Sequence, residues 1–534
     1  MGTTHTINRK SGHSVPLSRV ALGHAQDVSA PAVPSSARAV QHVDVLVVGA
    51  GLSGIGAAWH LQDKQPGKSY AILEAREASG GTWDLFRYPG IRSDSDLSTF
   101  AYAFKPWTGE KAIADGPEIL EYIRATAREA GIDRHIRYGH RVVRAAWSTA
   151  DARWTVDAER TDTGETVRMT AGWLFCASGY YRYDEGFTPQ FEGVEDFGGQ
   201  IVHPQHWPED LDVDGKRVVV VGSGATAVTL VPALTAQGAH VTMLQRSPSY
   251  ILPLPSKDVI ADKLRQWFGD ARGHDLTRRK NIWRQRKVYA FCQKHPKLAR
   301  RIIRAVTAKQ VPGVDVDTHF NPKYDPWDQR LCAVPDGDLF RAMRRGDAEI
   351  VTDRIETFTG RGLRLGSGAE LDADVIVTAT GLNLLIFGGL ELEVDGEKVS
   401  MPDTLAYKGM MLSGVPNFAF AIGYTNSSWT LKVDLVCEHL CRLLAHMDAR
   451  GLDAAVPVPG DAAMETRPLL DFSAGYVLRS LPDLPRQGAS APWHLAMDYR
   501  EDVEHLRRGP VEDPALRFSR RATAVATPAV EVAA

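Results

Sequence analysis

Short apolar runs that end in glycine or another small residue recur along this chain and predict the strands of a parallel sheet. The clearest lie at residues 45–48, 218–221, 241–244 and 374–381. Segments with a period of 3.6 residues predict helices, among them one at residues 117–130. Strands that alternate with helices in this way are typical of the α/β class.

The first run leads into a glycine-rich turn, in which Gly49, Gly51 and Gly54 form the pattern G-x-G-x-x-G. The first glycine permits a tight turn, the second lets the backbone approach a pyrophosphate, and the third lets the next helix pack closely. The next short strand ends in Glu74, whose carboxylate can accept two ribose hydroxyls and repels a 2′-phosphate. Alone, the turn also fits an ordinary strand–turn–helix. With Glu74 it predicts a site for FAD, a dinucleotide without a 2′-phosphate.

Residues 218–227 repeat the pattern, with Ala227 in place of the third glycine. The strand that follows ends in a base, Arg246, instead of an acid. Arginine is a charged, forked donor that suits a 2′-phosphate, so this turn predicts an NADPH site, with a surface arginine as the alternative. The residues predicted to bind NADPH are Gly222, Gly224, Ala225, Thr226, Arg246 and Ser247.

Two dinucleotide sites in one chain indicate electron transfer from a nicotinamide to a flavin, which then performs the chemistry. The predicted fold is therefore α/β, with two Rossmann-like dinucleotide-binding domains, for FAD and NADPH, and a helical insert. The predicted boundaries are a flexible extension at 1–42, an FAD domain at 43–190 and 381–521, an NADPH domain at 191–250 and 327–380, a helical insert at 251–326 and a flexible tail at 522–534.

Composition argues against several other classes of protein. The chain has 534 residues, a formal net charge of −3, 44% hydrophobic and 24% charged residues, which is ordinary for a globular enzyme and gives no global preference for nucleic acid. No apolar run reaches the roughly 18 residues of a membrane helix. The five cysteines form no C-x-x-C pair, so we expect no disulfide framework, no metal site and a cytoplasmic location. Monomer and homo-oligomer both remain open.

The predicted insert is strongly basic in its second half. Residues 278–309 contain twelve lysines and arginines and no acid. A solvated helical surface is one explanation. The other is a peripheral contact with an anionic membrane, to which Trp283, Tyr289 and Phe291 would contribute.

Two further motifs resemble signatures of a known family. Residues 80–94 match [A/G]-G-x-W-x4-[F/Y]-P-[G/M]-x3-D, and residues 197–208 match F-x-G-x-x-x-H-x-x-x-W-[P/D]. With the two nucleotide turns in the required order, the chain resembles the type I Baeyer–Villiger flavin monooxygenases from about residue 43 to residue 521, especially the actinobacterial enzymes that activate ethionamide. The matching residues are Gly80, Gly81, Trp83, Tyr88, Pro89, Gly90, Asp94, Phe197, Gly199, His203, Trp207 and Pro208.

The resemblance implies that FAD, NADPH and O2 take part, and that a C4a-peroxyflavin converts ketones to esters or lactones and oxygenates sulfides, thioethers or thioamides. It implies that Arg330 is the cation that stabilises the anionic peroxide, and that Asp94 orients Arg330. His203, the third catalytic candidate, is implied to act in positioning, with a purely structural histidine as the alternative. Gly81, Trp83 and Asp94 are implied to contact FAD.

One position departs from the family pattern. Gln329 stands where many relatives have a lysine that helps to hold the 2′-phosphate, which leaves Arg246 as the main predicted determinant of NADPH binding. The loop at residues 424–431 is expected to border the substrate pocket, with Asn426 and Trp429 as lining candidates, although ordinary packing would also explain Trp429.

Three other functions remain as alternatives. The nearest is an N- or S-oxygenating flavin monooxygenase, which product identity would distinguish. A disulfide reductase would need a close cysteine pair beside the flavin, and residues 80–94 contain none. A non-catalytic flavin sensor would bind flavin without rapid consumption of NADPH.

Overall fold

The computed structural model describes residues 40–329, 331–460 and 464–521. The predicted tail, Arg330 and residues 1–39 of the predicted extension lie outside these ranges. Residues 41 and 42, which we assigned to the extension, belong to the first strand, Gln41–Val48. Its pairing with the strand Thr166–Cys176 extends to Gln41, which an apolar pattern could not indicate because Gln41 and His42 are exposed.

The larger sheet has nine strands and contains the first glycine-rich turn. The buried strand Gln41–Val48 is central and pairs in parallel with Tyr70–Leu73 on one side and Thr166–Cys176 on the other. In spatial order the strands are Glu397–Lys398, Glu391–Val394, His140–Ser148, Arg153–Arg160, Thr166–Cys176, Gln41–Val48, Tyr70–Leu73 and Ile136–Arg137, and Phe418–Phe420 also pairs with Thr166–Cys176.

The strand Thr166–Cys176 is continuous, although its sequence pattern changes along its length. Its first seven residues include only two buried positions, Met169 and Ala171, whereas its last four residues are all buried. The two halves therefore show different sequence patterns although the backbone is continuous. Gly172 lies between them, where a Cβ atom would come within 3.1 Å of the Asp44 carbonyl oxygen.

The smaller sheet has five parallel strands and contains the second glycine-rich turn. Its central strand, Arg217–Val221, is buried on both faces: Val218 and Val220 pack into one apolar cluster, Val219 and Val221 into another. Burial on both faces explains why residues 218–221 are all apolar and do not alternate with polar residues. In spatial order the strands are Ala348–Thr352, His240–Gln245, Arg217–Val221, Val375–Val377 and Gln200–Val202.

The remaining strands form small sheets. These pair Tyr181–Gly186 with Leu382–Leu384, Ile251–Leu254 with Cys332–Pro335, Ala406–Tyr407 with Met411–Leu412, Ala454–Pro457 with Leu516–Ser519, and Thr466–Pro468 with Arg486–Gly488, and join Ile355–Thr359, Gly362–Leu365 and Glu370–Asp372. The predicted helical insert thus begins with a strand, because Ile251–Leu254 pairs with residues beyond the insert.

Helices cover the sheets and form most of the insert. The α-helices are Leu52–Lys64, Thr82–Leu85, Leu97–Phe100, Gly116–Glu129, Ala225–Ala236, Val259–Phe268, Asp270–Lys294, Pro296–Gln310, Val316–His319, Asp338–Arg345, Trp429–Arg450, Gly475–Ser480 and Tyr499–Asp502. Val503–Arg508 is a π-helix, and the 3₁₀-helices are Asp133–His135, Val194–Asp196, Pro204–His206, Ile386–Gly389, Met401–Asp403 and Leu481–Asp483. Within the described ranges, no helix is both long enough and apolar enough to cross a bilayer.

The insert helix Asp270–Lys294 is fixed to the part of the chain that carries the first turn. The buried Arg278 donates to the carbonyl oxygen of Ala101 at 2.6 Å and pairs with buried Asp434 at 3.2 Å. Further along the same face, Asn281 and Gln285 donate to the carboxylate of Asp96 at 2.8 and 2.7 Å. Part of the basic character of the insert is therefore used internally.

We predict that Arg278→Met lowers the free energy of unfolding by about 3–5 kcal/mol, because Asp434 would then be buried without its cationic partner. Thermal and denaturant unfolding of the purified variant measure the change.

Arg279→Met is the matched control. Arg279 is 75% exposed and pairs with Asp275 one turn away, so its loss should change stability by less than about 0.5 kcal/mol. Equal losses in the two variants would contradict the assigned role of Arg278.

Candidate active site

The first glycine of each turn is required by the fold. Gly49 has φ +102°, and a Cβ atom there would come within 2.8 Å of the carbonyl oxygen of Ala177. Gly222 has φ +146°, and a Cβ atom there would overlap the carbonyl oxygen of Ala379. Both values of φ lie in the region that favours glycine. In both turns the first glycine is therefore needed because a side chain would collide with the backbone of a neighbouring segment.

The second glycine of each turn faces a cavity, and the protein itself does not require it. A Cβ atom at Gly51 would meet the Cα of Gly81 at an ordinary 3.5 Å, and at Gly224 it would meet nothing within 4 Å. Both residues line the cavity. This bare backbone at the start of a helix fits a pyrophosphate.

The third glycine differs between the turns. A Cβ atom at Gly54 would overlap the carbonyl oxygen of Gly49 in its own turn. In the second turn the equivalent Ala227 is fully buried in the apolar core below the smaller sheet. The first turn therefore excludes a side chain that the second accommodates.

Glu74 lies at the end of its strand, where the sequence places it, and lines the cavity. One carboxylate oxygen accepts from the N–H of Ala50 at 2.7 Å, and the other accepts from the N–H of Arg76 at 2.9 Å. Burial raises the pKa of Glu74, and the two N–H donors and the Arg76 cation partly oppose this rise. Each oxygen keeps a free lone pair, so the carboxylate fits a ribose diol.

Arg246 lies at the corresponding strand end of the smaller sheet. It is exposed, lines the cavity, and has no carboxylate partner among the described residues. Ser247 also lines the cavity, and its carbonyl oxygen accepts from the Ser223 hydroxyl at 3.0 Å. Ala225 and Thr226 complete this wall at the start of the helix Ala225–Ala236. The six residues predicted to bind NADPH thus lie on one wall of the cavity.

A second cation beside Arg246 escaped the sequence analysis. In the parallel register Gln245 is opposite Thr352, so the ends of these two strands lie side by side. Arg354 follows this second strand closely, is exposed, lines the cavity, and has no carboxylate partner among the described residues. A search of the sequence for basic residues just after the other predicted parallel strands would have identified Arg354, because the ends of parallel strands lie at one edge of the sheet. Gln329, which replaces the family lysine, also lines the cavity.

The segment at residues 80–94 lies between the two turns and contacts both. Gly80 donates its N–H to the carbonyl oxygen of Ala50 at 3.0 Å, beside the first turn. At Gly90, with φ +75°, a Cβ atom would come within 2.7 Å of the Ala233 Cβ, on the helix of the second turn. Arg92 pairs with Asp338 at 2.5 Å, on another helix of the smaller sheet. The segment contains the one-turn helix Thr82–Leu85.

A buried carboxylate anchors this one-turn helix and was not predicted. Asp84 is 2% exposed and pairs with Arg76 at 2.5 Å, Arg124 at 2.7 Å and Arg87 at 3.3 Å. Its neighbour Trp83 lines the cavity and packs edge-on against Phe100. The cluster fixes the cavity wall beside Glu74.

The three catalytic candidates occupy different positions. Asp94 lines the cavity, whereas Arg330 lies outside the described residues. His203 is not among the lining residues. Its Nδ1 accepts from the N–H of Gln205 at 3.2 Å, so its Nε2 is the donor toward the carbonyl oxygen of Gly381 at 3.3 Å. Burial lowers the pKa of His203, and the neutral ring packs directly on Gly186.

Of the two substrate-pocket candidates, Trp429 lines the cavity and Asn426 is not among the lining residues. The Asn426 amide instead donates to the carbonyl oxygen of Met497 at 2.9 Å. Trp429 stacks on Tyr180, and its ring N–H donates to the Ser53 hydroxyl at 2.9 Å, next to the first turn. Ser427 also lines the cavity, and its hydroxyl donates to Gln285 of the insert at 2.8 Å.

All these lining residues belong to one continuous cavity of about 1420 Å³. Sites for one small molecule usually measure about 300–1,000 Å³. Within the described ranges no cluster of three or more histidines, cysteines or acids could hold a metal ion. The fold and the cavity define an α/β protein with two dinucleotide sites that open into a common space.

Comparisons with known proteins identify the family. A model described as flavin-binding monooxygenase-like matches residues 112–260, and models of NAD(P)-binding domains match residues 47–108 and 211–323. The FAD-containing monooxygenase EthA of Mycobacterium tuberculosis (strain CDC 1551 / Oshkosh) is 57% identical over 483 residues, which are 90% of this chain and 98% of EthA. The probable FAD-binding monooxygenase AlmA of Acinetobacter baylyi is 46% identical over 488 residues, 91% of this chain and 98% of AlmA.

Solved structures show the same fold. An oxidized steroid monooxygenase bound to NADP has a TM-score of 0.71 at 24% identity and covers 90% of this chain and 100% of its own. Cyclohexanone monooxygenase from Rhodococcus sp. Phi1 bound to NADP+ has a TM-score of 0.70 at 20% identity, with the same coverage. The chain belongs to the FAD-containing monooxygenase family that includes EthA, and both the predicted resemblance and the α/β fold with two Rossmann-like units are confirmed.

We predict that Gly51→Ala and Gly54→Ala fail in different ways. Gly51→Ala should leave the melting temperature of the FAD-free protein unchanged and lose FAD affinity at least about tenfold, because its methyl group points into the space assigned to the pyrophosphate. Gly54→Ala should also lower the melting temperature, because its methyl group overlaps the turn. Thermal unfolding and the molar ratio of FAD to protein check both results.

Gly67→Ala is the control, since a Cβ atom there would meet nothing within 4 Å and the residue lies far from the turn. Wild-type FAD content in Gly51→Ala would contradict the assigned phosphate position.

Proposed function

We propose that the protein is an NADPH- and O2-dependent Baeyer–Villiger monooxygenase. It converts ketones to esters or lactones and also oxygenates sulfides, thioethers or thioamides. The observation that carries this proposal is the common cavity, which reaches Glu74 at one nucleotide turn and Arg246 at the other. Two dinucleotides bound at these turns have room to meet inside one enclosure.

The comparisons support the cofactors and the reaction class. The two solved structures named above are a steroid monooxygenase and a cyclohexanone monooxygenase bound to NADP, and they share the fold of this chain. The chain also carries the two sequence motifs of the Baeyer–Villiger type, at residues 80–94 and 197–208. The motif at residues 80–94 lines the cavity, and the motif at residues 197–208 includes His203.

FAD, when bound, supplies the chemistry of oxygen activation, and the protein supplies binding, orientation and charge. The wall near Trp429 is largely aromatic and includes Tyr180, Tyr424 and Phe387. Such a wall excludes water and favours an apolar substrate. Burial also keeps Tyr424 protonated, because its pKa is raised well above the ordinary value, and its O–H donates to the buried Asp502 at 2.5 Å.

On the strength of the family resemblance, we assign Arg330 as the cation that stabilises developing negative charge on oxygen, and Asp94 as the residue that orients Arg330. A fixed charge in a water-poor cavity is often the largest catalytic contribution. His203 acts as a positioning residue. Its neutral ring joins the backbone near Gly381 to the strand Tyr181–Gly186, where the chain passes between the two units.

Product analysis tests the reaction class. The FAD-loaded enzyme is incubated aerobically with NADPH and a panel of phenyl ketones, long-chain ketones and sulfides. We expect esters from the ketones and sulfoxides from the sulfides, with one NADPH consumed per product in the coupled reaction. Sulfoxides without any ester would indicate the alternative, an N- or S-oxygenating monooxygenase. Consumption of NADPH without either product would contradict both.

Arg246→Ala tests the nicotinamide site. Loss of a charged hydrogen bond to the 2′-phosphate costs about 1.5–3 kcal/mol, so kcat/KM for NADPH should fall roughly 10- to 150-fold. Activity with NADH should not change, because NADH lacks this phosphate. Steady-state kinetics with both nucleotides measure the ratio of kcat/KM for NADPH to kcat/KM for NADH.

Arg354→Ala should lower the same ratio, and Arg341→Ala, an exposed arginine that does not line the cavity, is the matched control. An unchanged NADPH-to-NADH ratio in Arg246→Ala, Arg354→Ala and their combination would contradict the assignment of this wall.

A further inference from the structure

Exposed apolar side chains are concentrated in the insert. Of the fourteen large apolar residues exposed in the described part of the chain, nine lie on the three helices between Val259 and Gln310. They include Trp267, which is 70% exposed, and Trp283, which is 60% exposed. Soluble proteins rarely leave such residues clustered in water unless the surface has a partner.

On the helix Asp270–Lys294 the exposed apolar and basic residues share one face. Trp283, Val288 and Phe291 are exposed, as are the basic residues between and beyond them. Successive residues of a helix are about 100° apart around its axis, so these exposed apolar and basic residues together fall within an arc of about 140°. Arg278, Asn281 and Gln285, which fix the helix to the rest of the protein, lie outside this arc. The exposed basic residues on this face are Arg284, Lys287 and Lys294.

The next helix, Pro296–Gln310, repeats the arrangement. Leu298 and Ile302 are each 46% exposed and share an arc of about 140° with Lys297, Arg301 and Lys309. Its opposite side is buried through Ala299, Ile303 and Thr307. We call the exposed residues of these two arcs the docking face.

The basic residues of the docking face differ from their neighbours in having no carboxylate partner among the described residues. Neighbouring basic side chains on the same helices do have one: Arg279 pairs with Asp275, Lys280 with Asp258, Arg286 with Asp498 and Arg304 with Asp317. The chain as a whole carries a net charge of −3. The positive charge of the face is therefore local and available to an anionic partner.

We propose that the docking face binds the surface of an anionic lipid bilayer. Helices that lie in a membrane interface combine tryptophan, phenylalanine and leucine with lysine and arginine, as this face does. The long basic side chains can reach lipid phosphates while the apolar side chains enter the acyl boundary. Nucleic acid would match the charge but would leave Leu298, Ile302 and Val288 without an apolar environment. A bilayer satisfies both halves of the pattern.

Vesicle co-sedimentation tests this proposal without reference to catalysis. The FAD-loaded full-length enzyme is mixed with vesicles of phosphatidylcholine alone or with phosphatidylglycerol added. We expect binding to the anionic vesicles, weaker binding to the neutral ones, and a decrease with added salt. Equal binding to both kinds of vesicle, or binding to neither, would overturn the proposal.

Two variants locate the interaction. Each basic residue near an anionic surface contributes about fivefold to the partition coefficient, so Arg284→Glu/Lys287→Glu/Lys294→Glu should lower it at least roughly a hundredfold. Trp283→Ser/Phe291→Ser should abolish the binding that remains at high salt. The matched control reverses three basic residues outside the insert, Arg134→Glu/Lys216→Glu/Arg520→Glu, and should keep most of the binding.

Melting temperature and FAD content establish that each variant is folded. Wild-type vesicle binding by both folded variants would overturn the proposal. So would a dimer that Trp283→Ser/Phe291→Ser dissociates in the absence of vesicle binding, because a second copy of the chain would then cover the face.

Discussion

The structure depends on close backbone contacts at a few glycine positions between its two nucleotide-binding units. Gly81 lies against Gly51 of the first turn, and Gly90 lies against the helix that follows the second turn. A side chain at Gly90 would enter space already filled by Ala233, and one at Gly81 would crowd the turn that faces the pyrophosphate. These contacts hold the segment at residues 80–94 between the units, so the two sites open into one cavity instead of two separate clefts.

The prediction of two Rossmann-like units, which is confirmed, rests on short-range rules. A buried strand that leads into glycines, and a strand that ends in Glu74 or Arg246, can be recognised because the fold places each of these features within about thirty residues of the next. The features that were missed depend on distant segments. Asp84 pairs with an arginine 40 residues away along the chain. Strand pairing alone brings together the strand ends near Arg246 and Arg354, and the Asn426 amide donates to a carbonyl group 71 residues away.

The ion pairs of the insert could not be predicted from the sequence for the same reason. Its sequence predicts basic helices, but it does not show which basic residues are neutralised, since their partners Asp434, Asp498 and Asp258 lie outside the basic run. Only the folded chain separates the buried Arg278 from exposed residues such as Arg284 and Lys287. A run of twelve like charges thereby becomes two sets with different tasks, one that fixes the helix and one that remains exposed.

Gln285 gives this arrangement a consequence for enzyme kinetics. Its side chain accepts a hydrogen bond from Ser427 at the cavity wall, and it belongs to the same helix as Trp283 and Phe291. The cavity wall is therefore about one helix diameter, roughly 10 Å, from the docking face proposed to bind lipid. For an enzyme docked in this way, the concentration that governs turnover is that of the substrate dissolved in the acyl phase. The apparent Michaelis constant of a hydrophobic ketone would then follow its oil–water distribution and the amount of lipid present.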